Sequence, residues 1–242
     1  MLLLRSAIFN LFFYLWTLLL VIILVPVLAW PSPRPILFVG WVWGRANLWA
    51  LGVICGMHVD FRGLEKIPAG AILVAAKHQS AWETFAFFIP FRRPAYVFKR
   101  ELIHVPLFGW AVWKAEQIPV ERGKKGGTLA SITPGAHDAV GRGQQVMIFP
   151  EGTRRAVGAP PDYKYGVTHL YQALGVPCQP VAHNAGLFWP RRSFMRRPGT
   201  VIVECLDPIL PGLPPEEFAE RLKTAIETAT DRLVAEARAA GA

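Results

Sequence analysis

Residues Ile8 to Trp30 form an almost unbroken apolar run in which Asn10 and Thr17 are the polar interruptions. No other feature restricts the fold as strongly. As a helix the run would extend roughly 35 Å, enough to cross a hydrocarbon core. A signal peptide is the rival reading, because Arg5 precedes the run and Val27-Leu28-Ala29 resembles a cleavage site. The run is long for that purpose, and a second apolar stretch follows at once, from Ile36 to Val59. Within it Gly40, Gly44, Gly52 and Gly56 fall at multiples of four. On one helix face such a stripe lets another helix come close; a core helix with flexible glycines would look the same. Directly after a membrane-length helix, the pattern favours a retained helical hairpin over residues 1–60. Its turn is expected at Pro31-Ser32-Pro33-Arg34-Pro35. Arg45 and Asn47 sit mid-segment, which suits a second helix lying in the membrane interface rather than crossing.

Hydrophobic residues make up 52% of the chain, so some apolar surface is expected to face lipid. The 242 residues suffice for one α/β domain with an appendage. The net charge of +9 is unevenly placed. Residues 1–60 carry three basic and one acidic residue, 61–212 carry 19 and 10, and 213–242 carry four and six. The middle of the chain is therefore electropositive, which suits nucleic acid, anionic headgroups or phosphorylated substrates. Cys55, Cys178 and Cys205 have no paired spacing, which argues against a disulfide framework or a zinc site and for a reducing compartment.

From residue 61 short β-prone runs alternate with helical ones. Strands are expected at Ile72–Ala76, Ala95–Phe98, Gln117–Val120, Gln145–Phe149, Pro177–Ala182 and Val201–Leu206. Helices are expected near 81–89, 105–114, 128–141 and 165–174, and over Glu216–Ala240. The implied fold is α/β, a mixed sheet covered by helices, occupying 61–242 behind the hairpin.

Polar clusters follow several of these strands. After Ile72–Ala76 come Lys77-His78-Gln79-Ser80-Ala81-Trp82-Glu83. On one continuous helix His78 and Glu83 would face different ways. They meet if His78 lies in the loop and Glu83 in the first helical turn. A carboxylate on one ring nitrogen then fixes the tautomer and leaves the other free to take a proton. Ser80 and Glu83 also form S-x-x-E, a capping box that needs no catalysis. Phe149-Pro150-Glu151-Gly152-Thr153-Arg154 follows another strand, with an arginine whose planar fork suits phosphate; a tight turn with solvated charges is the plain alternative. Val120-Glu121-Arg122-Gly123 and Val97-Phe98-Lys99-Arg100-Glu101-Leu102 are weaker signals of the same kind. Ligands of α/β sheets bind beyond the strand ends, where all four clusters would lie.

The chain resembles the 1-acyl-glycerol-3-phosphate acyltransferases. Their H-x-x-x-x-D motif is matched by His78 to Glu83, with glutamate in place of the usual aspartate. F-P-E-G-T-R is present unaltered at Phe149–Arg154, Val120-Glu121-Arg122 matches the second motif, and Val176-Pro177-Cys178-Gln179-Pro180-Val181 matches a V-P-x-x-P-V block. The stretch Lys99–Gly109 is also similar, and order and spacing agree from about residue 60 to 210. The resemblance implies acyl transfer from acyl-CoA or acyl-carrier protein to the sn-2 hydroxyl of 1-acyl-glycerol-3-phosphate. It implies His78 as the base, oriented by Glu83, and a phosphate site of Glu151, Gly152, Thr153, Arg154, Arg122 and Lys99. The extra methylene of Glu83 requires the loop to adjust.

An acyl thioester is already activated, so neither an enzyme nucleophile nor a cofactor is needed, and no metal ligands have site spacing; His58, His104, His137, His169 and His183 are scattered. The segment Phe188–Arg197, with four arginines among aromatics, fits the headgroup zone of a membrane. The expected partners are membrane lipids, lysophosphatidic acid and the acyl donor, with the domain at the cytoplasmic face of the cell membrane. A membrane-tethered nucleic-acid binder would share the charge but leave the His/Glu pair and FPEGTR without purpose, so no nucleic-acid partner is expected. A lyso-aminolipid acceptor and a non-catalytic lipid-binding protein stay open as alternatives.

Overall fold

The computed structural model describes residues 1–105, 107–121 and 127–241. Helices α1 (Leu2–Leu28) and α2 (Arg34–Ala50) form a hairpin, and α2 runs on through a π-helical turn, Leu51–Cys55. Among the described residues seven strands follow: β1 (Met57–Arg62), β2 (Ile72–Ala76), β3 (Pro94–Lys99), β4 (Ile118–Val120), β5 (Gln145–Ile148), β6 (Cys178–His183) and β7 (Gly199–Cys205). The helices between and after them are α3 (Glu83–Ala86), α4 (Phe108–Lys114), α5 (Gly127–Gly141), α6 (Gly166–Leu174), α7 (Ala185–Phe188) and α8 (Pro215–Ala239).

The strands make one sheet in the order β1-β7-β6-β2-β5-β3-β4. Pairing is parallel except between β6 and β7, so β1 and β7 oppose the other five. The sheet is thus mixed, as expected. Strand β2 sits at its centre with all five residues buried. Its side chains alternate between two cores, as a period of two requires. Ile72, Val74 and Ala76 pack with Phe9, Ala50, Trp82 and Phe85. Leu73 and Ala75 pack with Ile132, Leu170, Phe218 and Ile226 from α5, α6 and α8.

The second apolar stretch does not run as helix to Val59. Gly56, at φ 68°, ends it in a left-handed turn, and Met57–Arg62 then forms an edge strand beside β7. The boundary expected at residue 60 therefore falls inside β1. Alternation explains this: Met57, Val59 and Phe61 are apolar while His58, Asp60 and Arg62 are polar. The glycine stripe also serves a different neighbour. A Cβ on Gly44 would lie 2.5 Å from the Phe85 carbonyl oxygen, and one on Gly40 would lie 2.8 Å from the Phe88 ring. Gly40 and Gly44 admit the α3 segment rather than α1, while Gly52 faces His58 and Gly56 faces Pro198.

The hairpin lies along the domain. Ser6 Oγ accepts the Arg196 backbone N–H at 2.9 Å, and Asn10 Oδ1 accepts from the Arg196 guanidinium at 2.8 Å. Farther along, the Trp43 indole N–H donates to Thr17 Oγ1 at 3.0 Å. The polar interruptions of the first apolar run are thus its contacts with the domain and α2. The opposite face of α1, including Leu4, Leu11, Leu15, Leu18 and Ile22, is exposed. Segment Phe188–Arg197 divides accordingly. Arg196 is buried with its guanidinium 4.0 Å above Trp189, forming the socket for α1, while Arg191, Arg192 and Phe194 stay exposed.

Candidate active site

Strands β2, β3, β4 and β5 are parallel, so their carboxyl ends share one edge of the sheet. His78 leaves β2 there, Lys99 ends β3 and Phe149–Arg154 leaves β5. Arg122, expected to contribute after β4, lies outside the described residues.

His78 Nδ1 is 2.8 Å from Glu83 Oε1. The same oxygen accepts the backbone N–H groups of Gln79 at 2.9 Å and Ser80 at 2.8 Å, while Ser80 Oγ accepts from the Trp82 N–H at 3.2 Å. One oxygen of Glu83 thus serves both the imidazole and the loop amides. The capping box forms only in its Glu83-to-Ser80 half, since Ser80 Oγ reaches Trp82 and α3 has no side-chain cap. Glu83 is fully buried. Burial pushes its pKa up, but the His78 hydrogen bond, nearby His183 and the Ser80 amide together hold it below its ordinary value. The carboxylate fixes the proton on Nδ1, so Nε2 is the nitrogen left to accept one. Phe149 stacks on the imidazole with centroids 4.1 Å apart and restrains its plane.

The turn after β5 grips the same loop. Gly152, at φ 63°, donates its N–H to the Phe149 carbonyl at 2.9 Å. The left-handed conformation favours glycine, which makes the turn tight. The Arg155 N–H donates to the His78 carbonyl at 2.7 Å. Glu151 is not at the surface of this site. Its side chain is buried against Lys77, with Oε1 2.9 Å from Lys77 Nζ, and Oε2 accepts the His78 N–H at 3.3 Å. A carboxylate so placed has no reason to face an anionic phosphate. Thr153 and Arg154 remain at the rim, and Arg154 makes no ion pair among the described residues.

Beside His78 opens a cavity of about 620 Å³. Its polar end has His78, Lys99, Gly152, Thr153 and Arg154. Most of its remaining wall is apolar, including Leu20, Val21 and Leu24 of α1, Ile36 and Leu37 of α2, Phe88, and Ala111 and Val112 of α4. The hairpin therefore completes the cavity. Neither Glu83 nor Glu151 lines it. Tyr96 does, and burial together with Glu83 pushes its hydroxyl well above the ordinary phenol value, so it stays protonated.

Sequence reasoning missed two residues and gave a third, His183, no site role. Lys77 is buried beneath His78, although its place next to the histidine was a signal. Glu227, a helix residue among many charges, carried none. His183 is fully buried and bonded on both nitrogens: Nε2 at 2.8 Å to the Lys77 carbonyl and Nδ1 to the Ala185 N–H. It is a structural histidine that holds the loop.

Residues 58–184 match the Acyltransferase family model. The chain is 39% identical over 164 residues to a Pseudomonas aeruginosa protein named 1-acyl-sn-glycerol-3-phosphate acyltransferase, covering 66% of this chain and 63% of that one. It is 26% identical over 205 residues to the human 1-acyl-sn-glycerol-3-phosphate acyltransferase alpha, covering 81% of this chain and 72% of that one. The match thus spans less than two thirds of the Pseudomonas protein's length. The fold superposes on the crystal structure of the 1-acyl-sn-glycerophosphate (LPA) acyltransferase, PlsC, from Thermotoga maritima with a TM-score of 0.77. That alignment covers 96% of this chain and 99% of that one at 20% identity. With the family match covering more than half of its length, the chain belongs to the Acyltransferase family.

Proposed function

We propose that this protein transfers a fatty acyl group from acyl-CoA or acyl-carrier protein to the sn-2 hydroxyl of 1-acyl-glycerol-3-phosphate, giving phosphatidic acid. The observation that carries this reading is the His78–Glu83 pair at the polar end of a cavity with cations at its rim and apolar walls beyond. Such a cavity suits an amphiphile with a phosphate at one end and a hydrocarbon chain at the other. The names of the relatives point to the same acceptor.

In this mechanism His78 Nε2 takes the proton of the acceptor hydroxyl as its oxygen attacks the thioester carbonyl. A C–O bond forms, the C–S bond breaks, and the imidazolium returns its proton to the leaving thiolate. Glu83 steadies the imidazolium meanwhile. A base of this kind contributes about 10²–10⁴-fold, and positioning supplies much of the rest. The Arg154 guanidinium would hold the phosphate through two oxygens, with Lys99, Thr153 and Arg122 as further partners. Glu151 acts from behind, on the backbone of His78. The thioester is activated already, so the scheme uses no metal ion or other cofactor.

The protein would act on one membrane face. The exposed apolar side of α1 supports burial in lipid, while the Ser6, Asn10 and Thr17 contacts keep the helix against the domain. A helix tied down along its length suits anchoring in one leaflet, on the cytoplasmic side where acyl thioesters are made.

The test is mass spectrometry of products from lysophosphatidate and a lyso-aminolipid, each offered with acyl-CoA and with acyl-carrier protein. Phosphatidic acid from the purified protein is the expected result. Product from the lyso-aminolipid alone would assign the other acceptor, and lipid binding without any product would leave a non-catalytic protein.

A further inference from the structure

We propose that Lys77 and Glu227 are positioning residues for His78, and that the C-terminal helix α8 thereby sets the geometry of the catalytic loop. The inference rests on the reading of His78 as the base. Beneath the loop, Lys77 Nζ lies 2.9 Å from Glu151 Oε1 and 2.7 and 2.9 Å from the two oxygens of Glu227. Tyr163 donates its hydroxyl to Glu227 Oε1 at 2.8 Å. Burial first, and then Glu227, pushes the Tyr163 hydroxyl far above its ordinary pKa, so it remains a donor.

This network ends on the peptide units that flank His78. Glu151 Oε2 accepts the His78 N–H, Arg155 donates to the His78 carbonyl, and His183 holds the Lys77 carbonyl. Glu151 can grip the His78 amide as a carboxylate only while Lys77 neutralises it. A buried carboxylate without its partner must move towards water or take up a proton, and either change loosens that grip. Lys77 has a long, flexible stem, so it needs a second anchor to stay in place. Glu227 supplies it from a rigid post, since Phe218, Leu222 and Ile226 fix α8 against the sheet. Two carboxylates on one ammonium is a poor arrangement for stability alone. Its position directly under the catalytic backbone gives it a purpose. Glu227 also lies beyond residue 184, where the family match ends.

Hydrogen–deuterium exchange of the full-length protein in detergent tests the inference without turnover. In Glu227→Gln and in Lys77→Met, the peptide covering residues 77–82 should exchange about tenfold faster, while peptides from α1 and α5 keep the wild-type rate. Steady-state kinetics on the same variants should show kcat lowered about tenfold with the KM for lysophosphatidate changed less than twofold. Lys77→Arg, which keeps the charge, should restore part of kcat. Unchanged exchange in the 77–82 peptide overturns the inference. So does faster exchange of every peptide alike, or a raised KM with kcat intact. If Lys77→Met does not fold, Glu227→Gln, whose carboxylate is partly exposed, carries the test. A wild-type protein that makes no phosphatidic acid refutes the proposed activity and leaves the exchange result to judge the positioning network.

Discussion

His78 and Glu83 lie five positions apart, and their pairing depends on a single carboxylate oxygen that also holds the loop amides of Gln79 and Ser80. Replacing His78 by Ala should reduce turnover at least 10²-fold while the protein stays folded and membrane-bound. Retention of more than a tenth of wild-type activity, which a product assay would reveal, rules this role out. Glu83→Gln keeps the size but removes the charge that steadies the imidazolium, so kcat should fall by about 10²-fold with the acceptor KM nearly unchanged. Arg154 has no ion-pair partner among the described residues, which leaves its guanidinium available for a phosphate. A hydrogen bond to a charged group contributes about 1.5–3 kcal/mol, so Arg154→Ala should raise the KM for lysophosphatidate by about ten- to a hundredfold. An unchanged KM counts against the assignment. His183 makes a pH prediction. Burial lowers its pKa below the ordinary 6.5, outweighing Glu83 and the Lys77 carbonyl, which favour the charged ring. The unfolded chain then binds this proton first as pH falls, so stability should decrease below about 6.5 until the folded-state pKa is passed. Melting temperatures across pH 7.5 to 5.5 check the sign, and His183→Gln should flatten that part of the curve.

At the scale of elements, the hairpin and the His78 loop meet at α3. Gly44 faces the Phe85 carbonyl at 2.5 Å from where a Cβ would sit, whereas Gly40 faces the flexible end of Phe88. Gly44→Ala should therefore cost about 1–3 kcal/mol and lower kcat, since Glu83 starts the displaced helix. Gly40→Ala should be milder on both counts. A Gly44→Ala melting temperature equal to that of the wild type would show that Gly44 is not a seat for α3. The central strand was legible because Ile72–Ala76 is a short apolar run bounded by polar residues on one side. β1 was hidden because its strand alternation adjoins an apolar helix, and the apolar character of the two segments runs on without a break. The switch occurs at Gly56, whose positive φ ends the helix. The Glu83 bond to the Ser80 amide was readable from spacing, but the reciprocal Ser80 cap does not form, and the sharing of one oxygen with His78 depends on how the loop folds back.

For the whole molecule, the hairpin is a wall of the cavity and, in the proposed reading, also the membrane anchor. Leu20, Leu24, Ile36 and Leu37 line the same space as His78, so the candidate site is incomplete without residues from both helices. Deleting residues 1–55 should expose the core around Phe85 and Trp189 and cause aggregation. The intact protein should resist extraction by high salt and be released by detergent. Release by salt alone would mean that charge, not the apolar face of α1, holds it. Cytoplasmic orientation can be read from single cysteines at Lys164 and Arg191, both exposed, because native Cys55, Cys178 and Cys205 are buried. An impermeant thiol reagent should label them in opened membranes only; labelling in intact cells reverses the orientation.

The sequence by itself determined the local parts: the apolar hairpin, the buried strands, the polar clusters at their ends, and the reach of Glu83 towards His78. These signals act within a few residues along the chain, through periodicity, capping and turn chemistry. The tertiary structure decided which clusters meet and which side of them faces the cavity. Lys77 and Glu227 are 150 positions apart, and they pair because the sheet places β2 between β5 and β6 and packs α8 beneath it. Glu151, in an otherwise phosphate-like motif, is turned inward by Lys77, leaving Arg154 at the rim. A buried ammonium requires carboxylates around it, and which carboxylates can reach it is settled by strand order rather than by distance along the chain.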